Sequence, residues 1–157
     1  MDPRVKVAPL ALSQQRALEL MIIEAMGLSH SVVQEVNDLR RQLQDLQKKL
    51  NSDPGAKSLL DVVNSLDKKA AALVAVEQQY PPVGVVSAAS LNGALGSLLV
   101  QVEGADTAPT HQAIGAFGSY SGLLNQQLSK WEALNGKDLP ALNALLQQRQ
   151  LPPVVVK

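Results

Sequence analysis

The sequence predicts an all-α fold: an antiparallel up-and-down four-helix bundle with a long first helix and a short fifth C-terminal helix. Three observations lead there. Hydrophobic residues make up 46% of the 157 residues and aromatics only 3%, so the core is built from Leu, Val, Ile and Ala. Apolar residues recur at alternating spacings of four and three, the period of one helix face. Pro, Gly, Ser and Asn cluster between those stretches, and the short loops they make favour antiparallel neighbours. The length suits one domain, divided into an extended lead-in over 1–12, a helical bundle over 13–150 and an extended tail over 151–157.

Pro3 and Pro9 bias the residues before them away from helix, which makes the start extended. It reads as a lead-in, consistent with a piece of a longer protein whose signal peptide lies upstream. Ser13 is expected to cap the first helix, which runs to Leu50 with Leu18, Ile22, Ala25, Ser29, Val32, Val36, Leu39, Leu43, Leu46 and Leu50 inward. At 1.5 Å per residue it is roughly 55 Å long and needs partners along its length. Asn51 to Gly55 ends it, with Asp53 as cap and Pro54 at the first position of a second helix reaching about Gln79. That helix turns Leu59, Val63, Leu66, Ala70, Leu73 and Val76 inward, and Tyr80-Pro81-Pro82 stops it.

Ser87 caps a third helix with Ala88, Leu91, Leu95, Leu98 and Val102 inward and Gly104 as its stop, although Gly93 and Gly96 each cost about 1 kcal/mol against Ala. Thr107 or Thr110 caps a fourth, with Ile114, Phe117, Ser121, Leu124, Leu128 and Trp131 inward and an end around Asn135-Gly136. Asp138 caps the short fifth helix, which carries Leu142, Leu145 and Leu146 and is closed by Pro152-Pro153.

Two stretches depart from an ordinary solvated surface. Between Lys69 and Lys130 there is no Lys or Arg, and the outward positions of the third and fourth helices hold Ser, Asn, Gln, Gly and Ala. They form either a bland solvated surface or a face that another domain approaches without desolvating charge, with Asn92, Gly93 and Gly96 as the candidates. Leu20 and Ile23 fall outside the inward frame of the first helix, with Met21 and Met26 beside the seam, so that stretch is apolar nearly all round. Either the fifth helix and the tail Leu151 to Val156 cover Leu20 and Ile23, or a neighbouring domain does.

The chemical readings are narrow. Fourteen Lys and Arg balance fourteen Asp and Glu, which gives no global footprint for nucleic acid or an anionic membrane. Cys is absent, which removes thiol catalysis and Cys-based zinc sites. The most apolar window, Leu18 to Met26, is interrupted by Glu19 and Glu24, so neither a signal peptide nor a membrane span is expected. His30 and His111 lie on different helices without carboxylates at ligand spacing. The glycines of Gly115 to Gly122 read as close helix packing, since a phosphate loop needs Lys and Ser or Thr after its last Gly. Without strands, no nucleophile elbow is possible. No enzyme activity, metal or cofactor is expected.

Asp2-Pro3-Arg4-Val5-Lys6, Gln14-Gln15, the run Val102 to Thr110, and Trp131 through Leu139-Pro140-Ala141-Leu142-Asn143 carry a resemblance over nearly the whole chain. The chain resembles the helical C-terminal region of large bacterial proteins with Asp-box (BNR) repeats of the sialidase or sortilin type, often labelled glycosyl hydrolases. The resemblance implies export to a periplasmic or extracellular setting and a β-propeller partner, in cis or in trans. Glycosidase residues of that family would belong to the propeller, and no Asp-box pattern occurs here. The function expected is therefore a non-catalytic structural or interaction module docking through Leu20 and Ile23, and more weakly through Asn92, Gly93 and Gly96. The alternative is a self-assembling subunit using its first helix as an intermolecular coiled coil.

Overall fold

The structure, a computed structural model, describes residues 9–75, 86–104 and 107–156. It is all-helical, with no strand among the described residues. Helix α1 spans Pro9–Leu50; a 3-10 turn, Pro54–Ala56, leads into α2, Lys57–Val74. Then come α3, Ala88–Glu103, and α4, His111–Ala133, which passes through a π turn, Leu134–Asp138, into α5, Leu139–Gln148.

All the expected inward positions of α1 are buried, and Gln15 extends the seam by one turn. Pro9 is already helical, so residues 9–12 are not extended lead-in. Ser13 lies inside the helix and donates its Oγ–H to Leu10 O at 2.8 Å instead of capping. Asp53 accepts a hydrogen bond from Gly55 N at 2.9 Å, as a cap should, but what it caps is the 3-10 turn. Helix α2 buries Leu59, Val63, Leu66, Ala70 and Leu73 as expected and ends at Val74, because Ala75 turns to extended backbone at ψ 116°. The expected continuation to Gln79, with Val76 and the Tyr80-Pro81-Pro82 stop, lies outside the described residues.

Ser87 caps α3 in a reciprocal box: its Oγ accepts from Ser90 N at 3.1 Å, and Ser90 Oγ accepts from Ser87 N at 3.0 Å. Ala88, Leu91, Leu95, Leu98 and Val102 are all buried.

Four long helices are present, but α2 and α3 do not stand side by side. Arg40 of α1 meets Asp67 of α2, and Met26 and Gln15 of α1 meet Asn92 and Val102 of α3. Numbers fall along α1 as they rise along both partners, so α2 lies antiparallel on its C-terminal half and α3 on its N-terminal half. Ser87 Oγ donates to Ala75 O at 2.7 Å, joining the end of α2 to the start of α3. A 42-residue helix spans about 63 Å, room for two shorter helices in tandem along one side.

The third rod runs from α4 through α5. Thr110, not Thr107, caps it, accepting from Ala113 N at 3.1 Å. The expected break at Asn135-Gly136 is absent, and Asp138 is a helical residue with no capping bond. The π turn explains the continuity. Buried residues along the rod are Leu124, Gln127, Trp131, Leu134, Leu139, Leu142 and Leu146, spaced by threes and fours except for the five across the turn. One extra residue in that turn swings Lys137 and Asp138 past the core and brings Leu139 in. Leu145 is partly exposed.

In the first half of α4 the expected face holds at Phe117 but not at Ile114. Ile114 is 51% exposed, while Ala113, Ala116, Phe117 and Tyr120 pack against the core. Cβ atoms added at Gly115, Gly118 and Gly122 would meet nothing, so these glycines mark no close helix packing.

The core falls into two parts. The N-terminal part joins Leu18, Ile22 and Ala25 to α3 and Leu124. The C-terminal part joins Val32 to Leu50 to α2, Trp131, Leu134, α5 and Val154. Between them sits the fully buried Ser29, whose Oγ donates to Ala88 O at 2.6 Å.

Candidate docking face

The N-terminal half of α1 leaves four large apolar side chains about half exposed: Leu20, Met21, Ile23 and Leu28. At 100° per residue, Leu20, Ile23 and Gly27 project opposite Leu18, Ile22, Ala25 and Ser29, which face α3 and the core. The expected cover by α5 and the tail does not occur. Asn143 brackets Val154 with two hydrogen bonds of 2.9 Å, and Gln42 brackets Val155 at 2.7 and 3.1 Å. These amide clamps hold the tail on the C-terminal half of α1, about four turns beyond Leu28 and about five beyond Ile23. Val154 is buried there, in the other part of the core.

Arg16 and Glu24 flank Leu20 one turn to either side. Arg16 stays largely exposed and pairs with Glu19 at 3.4 Å, an exposed i,i+3 contact of little energetic weight. A Cβ at Gly27 would meet nothing, so the face has an open notch there.

The weaker candidates divide. Asn92 is turned inward and donates to Met26 O at 2.9 Å, and a Cβ at Gly96 would lie 3.5 Å from Met26 Cε. Both serve the α1–α3 contact inside the molecule. Gly93 faces open space. The structure also exposes Met21 and Leu28 on the flank of α1, and Val100 and Ile114 on the outer sides of α3 and α4. Leu28 was readable, since it follows the inward Ala25 by three and precedes the inward Ser29 by one, a position on the α1 flank.

A cavity of about 540 Å³ lies between α2, α4 and the π turn. Leu73, Val86, Leu123 and Leu134 form its apolar wall, and Lys69, one of its cations, is tied to Asp138 at 2.7 Å. His30, Tyr120 and Trp131 do not line it. Among the described residues no three His, Asp or Glu side chains gather as a metal site, and no helix is long and apolar enough to cross a membrane. Comparison of the chain with protein-family models, with curated proteins and with solved structures gave no match.

Proposed function

We propose that the chain is a non-catalytic helical interaction module, an up-and-down bundle whose docking face is the outer side of α1 around Leu20 and Ile23. The observation that carries this reading is the half-exposed Leu20 and Ile23, one turn apart on the outer side of one rigid helix and remote from the tail, with Met21 and Leu28 exposed on its flank. Contiguous apolar surface on a stable element marks a contact site more often than scattered exposed residues do. The sequence resemblance supplies the partner of this reading: a β-propeller domain of an exported bacterial Asp-box protein, in a periplasmic or extracellular setting.

The test is calorimetric titration of the full chain with such a propeller domain, using wild type and Leu20→Ser/Ile23→Ser. The double variant should keep its melting temperature and lose binding. Binding unaffected by the substitutions moves the contact elsewhere; equal loss of folding and binding makes the two residues part of the fold.

A second reading, self-assembly through coiled-coil contacts of α1, is favoured by one specific feature. Ser13, Arg16, Leu20, Ile23 and Gly27 repeat the three-and-four spacing on the outer side, a second heptad seam opposite the first.

A further inference from the structure

We propose that the outer seam of α1 docks against the same seam of a second copy, antiparallel, about a two-fold axis passing beside Leu20. This rests on the second reading above, self-assembly through α1, and gives it a direction and a register.

The order of residues along the seam selects both partner and direction. Arg16 lies four residues before Leu20 and Glu24 four residues after it, all three on one side of the helix. A parallel pairing would set Arg16 against Arg16 and Glu24 against Glu24. An antiparallel pairing centred on Leu20 sets Arg16 of each copy against Glu24 of the other, so one arrangement makes the ion pair twice. A surface with one positive and one negative charge placed symmetrically about an apolar residue is complementary to itself, the requirement of a two-fold interface. Such rim charges fix orientation and register more than they add affinity.

Side-chain size follows the same register. Leu20 meets Leu20 at the axis, Gly27 lies over Ser13, and the small Ala17 stands at the level of Ile23. Small residues thus oppose the ends of the seam, letting the two helices approach closely around the Leu20 pair. The Arg16 side chain is 65% exposed despite its contact with Glu19, so its guanidinium is free to turn outward.

Light scattering and sedimentation of the full chain over a range of concentrations read the assembly directly. A dimer is expected, with Leu20→Glu giving a monomer of unchanged melting temperature. Arg16→Glu and Glu24→Arg should each weaken dimerisation at least about tenfold, since each creates two like-charge contacts. The doubly swapped variant should restore it, and mixing the two single variants should give a mixed dimer. The chain has no Cys, so Arg16→Cys and Glu24→Cys each introduce the sole thiol. Oxidising their mixture should link Cys at 16 to Cys at 24; disulfides within each variant alone would mean a parallel pair and overturn the proposal.

A monomer at every concentration, or a dimer indifferent to Leu20→Glu, also overturns it. A monomer whose residues 16–28 become protected from hydrogen exchange when a β-propeller domain is added overturns the second copy and keeps the interaction-module reading. A monomer left unprotected by the propeller sinks both.

Discussion

Trp131 donates its indole N–H to Glu35 Oε2 at 2.8 Å, pinning the third rod to the middle of α1. Trp131 is 5% exposed, so water cannot replace the carboxylate without opening the core. Glu35→Ala should cost about 1–3 kcal/mol, because a buried donor is left without a partner. Glu35→Gln keeps an acceptor and should cost less. Urea unfolding followed by the fluorescence of Trp131, the only Trp, reads both; equal losses in the two variants would mean the bond contributes nothing.

Ser87 holds two ends together, capping α3 and donating to the Ala75 carbonyl beyond α2. Ser87→Ala should destabilise the protein by about 0.5–2 kcal/mol, the range for a lost N-cap. Hydrogen exchange should rise first at the start of α3. A loss spread evenly over the chain would contradict a local role.

Leu43 and Leu124 are fully buried, in different parts of the core. Replacing either by Ala should cost about 2–5 kcal/mol. Ile114→Ala, on the outer side of α4, should stay within about 0.5 kcal/mol of wild type. Chemical denaturation of the three variants decides the face of α4, and a large loss at Ile114 would restore the face expected from spacing alone.

Asp45 sits on the solvated side of α1. A hydrogen bond from Lys48, the charge of Lys48 and, more weakly, that of Lys49 hold its carboxyl below the ordinary Asp value, against a small opposing effect of desolvation. A pKa lowered on folding stabilises the native state above the unfolded value, and that contribution is lost as pH falls through the folded value. At this exposed site the effect on stability is screened away. Lys48→Ala should therefore move the Asp45 titration upward in an NMR pH series while leaving the melting temperature unchanged at neutral pH. An unmoved titration would show that the pair does not form.

Legibility varied along the chain for physical reasons. In α1, α2 and α3 the large apolar residues stand at heptad spacing with polar residues between, so the inward face follows from counting. In the first half of α4 small and apolar residues occur on every side, and Ala113 with Ala116 competes evenly with Ile114 for the place beside Phe117. Which set turns inward depends on how closely α3 approaches. Of the docking candidates, Leu20 and Ile23 were found because they break a clear frame. Asn92 and Gly96 sit in no such frame, and their engagement with Met26 depends on which helix lies opposite.

By itself the sequence determined that the chain is helical, most of the residues that its first three helices bury, and that Leu20 and Ile23 point away from the first seam. Those properties depend only on the helix period and the order of side chains. The tertiary structure alone decided that α2 and α3 share one side of α1, that a π turn carries α4 into α5, and that the tail settles beside Gln42 and Asn143. Each of these depends on the space left by distant neighbours. Burial can reward one extra residue in a turn, or two helices end to end, only once the opposing surface exists.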